Sequence, residues 1–100
     1  MKIVASYPRG CRVAVLGAGT CNLPRLLPAC YTVDIYELEP AIVKWAHETF
    51  KRPSHWTFIV GDWHKTITGT YDVIVLDTGE PGCEQELRPH LNEGGLLLGV

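Results

Sequence analysis

The composition of the chain predicts one soluble globular domain that spans residues 1–100. Of its 100 residues, 46% are hydrophobic and 20% are charged, which is enough for a single core. The net charge is −2 and the basic residues are scattered, which excludes the strongly basic face of a dedicated nucleic-acid-binding protein. No apolar run approaches the ~20 residues of a membrane-spanning helix, and the first residues do not resemble a secretion signal. We therefore expect a cytoplasmic protein that contacts neither nucleic acid nor a membrane.

The cysteines and histidines form no recognisable constellation in the sequence. There is no C-x-x-C pair, and no cysteine stands at metal-ligand spacing from a histidine. His64 has no visible partner and is expected to be a surface histidine. Cys83 is expected to be a free thiol rather than a nucleophile. The sequence thus predicts no metal site and reduced thiols at Cys11, Cys21, Cys30 and Cys83.

Five short apolar runs, rich in β-branched residues, predict the strands of a buried sheet. Four of them lead directly into a glycine or an acidic residue, as strands of a parallel sheet covered on both faces do. They occupy residues 12–17, 31–37, 56–62, 71–77 and 94–100.

Helical segments separate these runs. The clearest covers residues 40–52, with Pro40 at its first position and an apolar face of Ile42, Trp45, Ala46 and Phe50. Barely two turns are expected after Asn22, one turn within residues 63–70, and a short helix over residues 83–91 that Pro89 disturbs. This alternation predicts an α/β, doubly wound Rossmann-like fold in three layers, with strand order 3-2-1-4-5.

A glycine loop and a distant acid indicate a nucleotide-like ligand. The first strand leads into Gly17 and Gly19, but Asn22 stands where a third glycine would complete G-x-G-x-x-G. A tight turn without any ligand would look the same. Glu37 ends the second strand 18 residues after Gly19, where an acid accepts hydrogen bonds from both ribose hydroxyls. The combination favours an adenosine-containing ligand.

Charge at the predicted strand ends distinguishes the possible cofactors. Only Arg25 and Lys65 lie near the acidic residues there. Converging carboxylates would repel the pyrophosphate of NAD and attract a sulfonium cation, which favours S-adenosylmethionine (SAM) or its decarboxylated form. These carboxylates are Glu37, Glu39, Asp62, Asp77 and Glu80.

Five motifs occur in an order that is typical of one known family. They are "VLGAGTCNLPRLL", "DIYELEPAIVKWA", "GD" at Gly61 and Asp62, "YDVIVLDTGEPG" and "LRPHLNEGGLLLGV". In this order and spacing they resemble the motifs of class I SAM-dependent methyltransferases, most of all the spermidine synthase branch. The resemblance runs from about residue 12 onward and stops after the fifth strand, so it implies an incomplete methyltransferase-type sheet.

The resemblance also implies roles for particular residues. In the family, the first acid of the second-strand motif, here Glu37, holds the ribose, and the acid after the third strand, here Asp62, meets the adenine amino group. Trp63 either stacks on adenine or caps the core. Asp77 and Glu80 match two acids of the fourth-strand motif and are the candidate catalytic residues. The implied cofactor-binding residues are Gly17, Ala18, Gly19, Glu37, Leu38, Asp62, Trp63 and Asp77.

Three functions remain open from the sequence. The chain is a methyltransferase-like enzyme that transfers a methyl or aminopropyl group to a small molecule, a non-catalytic binding module or fragment, or an NAD-binding oxidoreductase domain. Its fifth strand would be an apolar edge of the sheet. We therefore expect a homo-oligomer formed through that edge, or a chain that belongs to a larger protein.

Overall fold

The structure is a computed structural model that describes residues 10–18, 24, 27, 29–50, 53–77 and 82–99. The strands are β1 (Arg12–Leu16), β2 (Thr32–Glu37), β3 (Trp56–Val60), β4 (Tyr71–Leu76) and β5 (Leu91–Gly99). The helices are α1 (Pro40–Phe50), α2 (Trp63–Thr66) and α3 (Glu84–Leu87), and a 3-10 turn follows α3 at Arg88–His90.

Within the described residues, the five strands form one parallel sheet in the order β3-β2-β1-β4-β5. This is the predicted order, so the predicted fold class is confirmed. The central strands are covered on both faces: Val13, Ile35 and Val75 are fully buried. Burial on both faces explains why these strands appear in the sequence as continuous apolar runs instead of alternating patterns.

The helices lie on both faces of the sheet and complete three layers. Ala46 of α1 belongs to the cluster on one face, with Val13, Val33 and Val73. The cluster on the other face is closed by Trp63 of α2 and Leu87 of α3, together with Cys83 just before α3. Each face thus has its own hydrophobic core, as expected for a doubly wound fold.

The apolar face of α1 differs in one residue from the predicted face. Ala46 is buried and Ile42 and Phe50 pack against the core, as predicted, but Val43 is buried as well. Trp45 is 42% exposed and contacts Phe50 edge to face, with ring centroids 5.7 Å apart. Because Val43 faces the sheet, the buried stripe is rotated away from Trp45, which lies at its margin.

The short helices agree with the sequence, whereas β5 begins earlier than predicted. α2 is a single turn, and α3 gives way to the 3-10 turn around Pro89. β5 begins at Leu91 instead of Gly94 because Leu91 pairs with Tyr71 before the register shifts by a bulge. The predicted turns after Asn22 lie mostly outside the described residues.

A buried polar network lies within the sheet. The Tyr71 hydroxyl donates to Asp34 Oδ2 at 2.7 Å, so the Tyr36 hydroxyl, 2.6 Å away, donates to the Tyr71 oxygen. Arg12 lies 3.6 Å from the same Asp34 oxygen and 4.8 Å from the centre of the Tyr71 ring. Burial and these two hydrogen bonds raise the pKa of Tyr71 well above its usual value, so it remains a neutral phenol at any physiological pH.

Two further features concern the helices and the cysteines. None of the helices in the described part of the chain has the length and apolar character needed to cross a membrane. Among the described residues, Cys11, Cys30 and Cys83 form no disulfide bond, while Cys21 lies outside the described residues.

Candidate functional site

The carboxyl ends of four neighbouring strands meet at one edge of the sheet. The Gly17 amide donates to the Tyr36 carbonyl at 2.8 Å, and the Gly61 amide donates to the Glu37 carbonyl at 2.9 Å. The Asp77 amide likewise donates to the Leu16 carbonyl at 2.9 Å. These bonds hold the segments after β1, β2, β3 and β4 side by side, where ligands of doubly wound proteins bind.

Gly17 is required by the backbone at this edge. Its φ of 99° lies in the left-handed region, which residues other than glycine rarely adopt. The chain can therefore turn sharply after β1, and Ala18 follows in a buried position. Gly19, the second glycine of the predicted loop, lies outside the described residues.

Glu37 is a buried acid that joins the ends of β1 and β2. Its side chain is buried, with the residue 8% exposed; Oε1 accepts from the Ala18 amide at 2.8 Å and Oε2 from the Glu39 amide at 2.9 Å. A carboxylate has about four lone-pair sites, so both oxygens keep acceptor capacity. Glu37 therefore fixes the loop after β1 and presents acceptors at the predicted position for a ribose.

A small cavity opens beside Glu37. Its volume is about 180 Å³, which is below the ~300 Å³ of the smallest pockets that hold a whole drug-sized ligand. The cavity thus has room for one ring system rather than a complete cofactor. Leu38, which is 69% exposed, offers an apolar surface at its border. The lining residues are Gly17, Tyr36, Glu37, Leu38, Gly61, Asp62 and Trp63.

Asp62 lines the cavity and caps α2. Its Oδ1 accepts from the His64 amide at 3.0 Å, and its carbonyl accepts from the Lys65 and Thr66 amides. Oδ2 accepts no hydrogen bond from the part of the chain that the structure describes. One carboxylate oxygen is thus used to hold α2, and the other is available to a donor in the cavity, such as an exocyclic amino group.

Trp63 belongs both to the core and to the cavity wall. It is 5% exposed and packs in the cluster with Leu16 and Leu87, which agrees with the core-capping alternative. It also lines the cavity. Its indole Nε1 is buried and has no hydrogen-bond partner among the described residues. Trp63 therefore contributes to core packing and also forms part of the wall that a ligand in the cavity would contact.

Asp77 follows β4 directly and is exposed, with its backbone tied to Leu16. Asp77 does not cap α3, whose N-cap is Cys83. Glu80, its predicted partner, lies outside the described residues. Of the two candidate catalytic acids, the structure therefore locates only Asp77, which lies at the same sheet edge as Glu37.

The other carboxylates of the predicted acidic edge differ in their environments. Glu39 is exposed, and its Oε1 accepts from the Ala41 amide at 3.3 Å at the start of α1. Lys65 is exposed. Glu37 and Asp62 therefore contribute negative charge inside the cavity, whereas Glu39 contributes it from the solvent side.

The sequence did not reveal the partner of His64. His64 is exposed, as predicted, but its Nδ1 lies 2.7 Å from Oε2 and 2.8 Å from Oε1 of Glu86, so it has a partner that the sequence does not show. Cys83 completes the group, because donor atoms of all three side chains lie within 4.8 Å of one another. The absence of short metal-ligand spacing hid this group, since His64 and Glu86 are 22 residues apart and meet only when α2 and α3 pack on the same face.

Comparison with known proteins yields matches in structure alone. No protein-family model and no curated protein sequence matches the chain. A SAM-dependent methyltransferase from Geobacter sulfurreducens, solved with S-adenosyl-L-homocysteine, superposes with a TM-score of 0.79 at 18% identity, over 97% of this chain and 44% of that chain. A protein-L-isoaspartate O-methyltransferase gives a TM-score of 0.76 at 24% identity, over 98% and 33% of the two chains. The glycopeptide N-methyltransferase MtfA gives 0.69 at 19% identity, over 96% and 49%.

The chain has a methyltransferase fold. At these low identities the likeness concerns the fold and does not assign an activity. The chain spans between a third and a half of the length of these three proteins. None of the three is a spermidine synthase, so the predicted placement in that branch receives no support.

Proposed function

We propose that the chain binds SAM at the carboxyl edge of its sheet and acts as a methyltransferase-like transferase on a small molecule. The observation that carries the proposal is the buried Glu37 carboxylate beside a cavity, in a chain with a methyltransferase fold. Structural neighbours have been solved with SAM or with S-adenosyl-L-homocysteine. For this chain, the cofactor and the activity are inferred from the residues at the carboxyl edge of its own sheet.

The ribose, the adenine and the sulfonium of SAM would each have a matching group at this edge. Glu37 would accept hydrogen bonds from the ribose hydroxyls, and the available Oδ2 of Asp62 would accept from the adenine amino group. The cavity has room for one ring system, with Leu38 on its border to cover an adenine face. Carboxylates around a sulfonium lower its energy by charge attraction, an effect that a neutral thioether or an anionic pyrophosphate would not share.

The chemistry that this edge would supply is chiefly positioning. Transfer from a sulfonium needs an acceptor held in line with the departing sulfur, and an amine acceptor also needs a proton acceptor. Asp77 is the candidate for that role because it is exposed at the same edge. Glu80 is its proposed partner. Aminopropyl transfer, which the resemblance to spermidine synthases would imply, has no further support.

Cofactor binding is tested by titration calorimetry with SAM, S-adenosyl-L-homocysteine and NAD. We expect 1:1 binding of the two sulfur ligands, and a ligand at 100 times its dissociation constant should add about 2.7 kcal/mol to the free energy of unfolding. Asp62→Asn keeps a side-chain oxygen that caps α2, since asparagine caps helices as well as aspartate does. It should nevertheless weaken SAM binding about 10-fold or more, because the amide nitrogen that replaces Oδ2 cannot accept a hydrogen bond from the adenine amino group.

The matched control is Glu39→Gln, which changes a carboxylate at the start of α1 that does not line the cavity. Its effect on SAM affinity should be less than about two-fold, because exposed charges are screened by water and salt. Binding of NAD with no response to either sulfur ligand would overturn the proposal in favour of an oxidoreductase domain. Equal losses in the two variants would show that Asp62 does not contact the ligand.

The catalytic role of Asp77 requires an assay with small amine, hydroxyl and thiol acceptors. We expect Asp77→Asn to reduce turnover by about 100-fold or more, the usual contribution of a positioned proton acceptor, while SAM affinity stays nearly unchanged. A parallel loss of turnover and affinity would assign Asp77 a structural role. Cofactor binding without turnover on any acceptor would favour the binding-module alternative.

A further inference from the structure

Three metal-binding side chains converge on the face of the sheet covered by α2 and α3. They are His64 in α2, Cys83 at the N-cap of α3, and Glu86 in α3. An imidazole nitrogen, a sulfur and a carboxylate oxygen lie within 4.8 Å of one another. None of these residues lines the cavity beside Glu37, so this group is distinct from the proposed cofactor site.

The surrounding structure holds two of the three donors in place. Cys83 is 7% exposed and packs in the core, and its carbonyl accepts from the amide of fully buried Leu87 at 3.1 Å. The His64 backbone is fixed by the Asp62 cap, and its ring stacks on buried Trp63 with centroids 3.7 Å apart. Cys83 and His64 are therefore held by contacts with the core, whereas Glu86 is an exposed side chain that can adjust its position.

The nitrogen–oxygen distance in the group fits a tetrahedral ion after a small adjustment. With metal–nitrogen and metal–oxygen distances of about 2.1 Å and a metal–sulfur distance of about 2.3 Å, nitrogen and oxygen donors lie about 3.4 Å apart, and sulfur about 3.6 Å from each. His64 Nδ1 and Glu86 Oε2 are 2.7 Å apart. Their side chains would separate by less than about 1 Å, which their exposed positions allow.

The donor types select the class of metal. A thiolate with an imidazole suits zinc and related transition metals, whereas calcium and magnesium prefer oxygen ligands alone. Three protein ligands leave a fourth position for water, as in open zinc sites. The thiolate and the carboxylate together balance the charge of a divalent ion, and the thiol proton is released to solvent on binding.

We propose that His64, Cys83 and Glu86 bind one zinc ion, with water as the fourth ligand. Such an ion would tie α2 to α3, the segments that follow β3 and β4. It would also fix the imidazole that stacks on Trp63, a residue of the cavity wall. The proposal does not rest on SAM binding, so each can fail without the other.

The test uses the full chain after removal of metals with a chelator. Titration with Co²⁺, a spectroscopic substitute for zinc, should give thiolate-to-metal charge-transfer absorption that saturates at one equivalent, and Zn²⁺ should abolish it by displacement. Glu86→Gln and His64→Gln, both at exposed positions, should each weaken the affinity by about 100-fold or more, since loss of a mere outer-shell partner already costs 10–100-fold. Cys83→Ser should abolish the charge-transfer band.

Two matched controls separate this site from other donors. Glu84→Gln changes an exposed acid of the same helix that does not belong to the group, and Cys30→Ser removes a different cysteine; both should leave affinity and spectrum unchanged. Circular dichroism verifies that each variant is folded. The proposal is overturned if no charge-transfer band forms, or if the band and its affinity survive Glu86→Gln in a folded protein. Because Cys83 is buried, the exposed Glu86 variant is decisive even if Cys83→Ser does not fold.

Discussion

At the scale of single residues, Asp72 connects three strands through its carboxylate. It lies on β4, accepts from the Arg12 amide of β1 at 2.8 Å through Oδ2, and accepts from the Asn92 side chain of β5 at 3.0 Å through Oδ1. These hydrogen bonds, that of Arg12 first, lower the pKa of Asp72, and they outweigh the opposite effect of burial. The ionised form is therefore bound more tightly in the folded state than in the unfolded one.

The lowered pKa predicts a pH-dependent contribution to stability. Because the folded-state pKa lies below the unfolded value of about 3.9, the contribution is complete above that value and is lost as the pH falls through the folded-state pKa. At pH 7, Asp72→Asn should reduce the free energy of unfolding by about 1 kcal/mol. Asparagine keeps one acceptor oxygen, so only one of the two hydrogen bonds is lost. The difference should shrink as the pH falls below about 4.

Urea unfolding followed by circular dichroism at pH 7 and at pH 3 measures this difference. Glu48→Gln is the control, because Glu48 lies at an exposed position of α1. It should change the free energy of unfolding little at either pH. An Asp72→Asn effect of equal size at both pH values would mean that ionisation of Asp72 does not contribute.

Cys11 shows how the neighbourhood of Asp72 affects a thiol. Burial, and after it the neighbouring Asp72 carboxylate, raises the pKa of Cys11 to about 11. Cys11 is therefore a protonated thiol at neutral pH and a poor metal ligand, since the thiolate is the form that binds metals.

At the scale of elements, the bulge in β5 depends on a glycine. The register between β4 and β5 shifts between Tyr71 and Val73, and Gly94 there has a φ of 75°. A Cβ atom added at Gly95 would lie 2.8 Å from the Asn92 carbonyl oxygen and 3.1 Å from the Asp72 carbonyl oxygen. Both are backbone atoms, so the clash cannot be relieved by a change of rotamer.

We therefore expect Gly95→Ala to reduce the free energy of unfolding by about 1–3 kcal/mol, as overpacking against rigid neighbours does. Gly99→Ala in the same strand is the matched control, because a Cβ there meets nothing within 4 Å. It should be neutral or slightly stabilising. Thermal unfolding of the two variants measures the difference, and equal melting temperatures would show that the bulge accommodates a side chain.

The same strand shows what the sequence reveals and what it does not. β1, β2 and β4 were predictable because burial on both faces leaves continuous apolar runs. The start of β5 was missed because Asn92, Glu93 and the glycines interrupt the apolar pattern, and only pairing with β4 makes this segment a strand. The local sequence pattern thus identifies buried strands, whereas it misses the part of a strand that forms only through pairing with a neighbouring strand.

The same distinction applies to the residues of the candidate site. Glu37 and Asp62 were predictable because parallel strands bring their carboxyl ends to one edge, so position along the chain determines position in space. That Glu37 binds the Ala18 amide was not foreseen, because it depends on the turn that Gly17 makes. The group of His64, Cys83 and Glu86 was missed because it depends on how two short helices pack on one face.

At the scale of the whole molecule, the sheet has an apolar edge at β5. Among the described residues, β5 pairs with β4 alone. Leu96 and Leu98 pack toward the core on the α1 face and Leu97 toward the opposite core, and all three are partly exposed. A groove of about 460 Å³ beside the strand is lined in part by Leu91 and Leu97.

Unpaired backbone groups on an apolar edge strand favour pairing with another chain, because pairing satisfies the hydrogen bonds and buries the leucines together. We therefore predict that this 100-residue chain self-associates through β5. Leu98→Lys should shift the protein toward monomer, since a charge on the edge opposes pairing. Thr57→Lys, at an exposed position of β3 on the opposite edge, should not. Light scattering over a concentration series measures the mass, with circular dichroism to verify folding, and a stable monomer at every concentration would contradict the prediction.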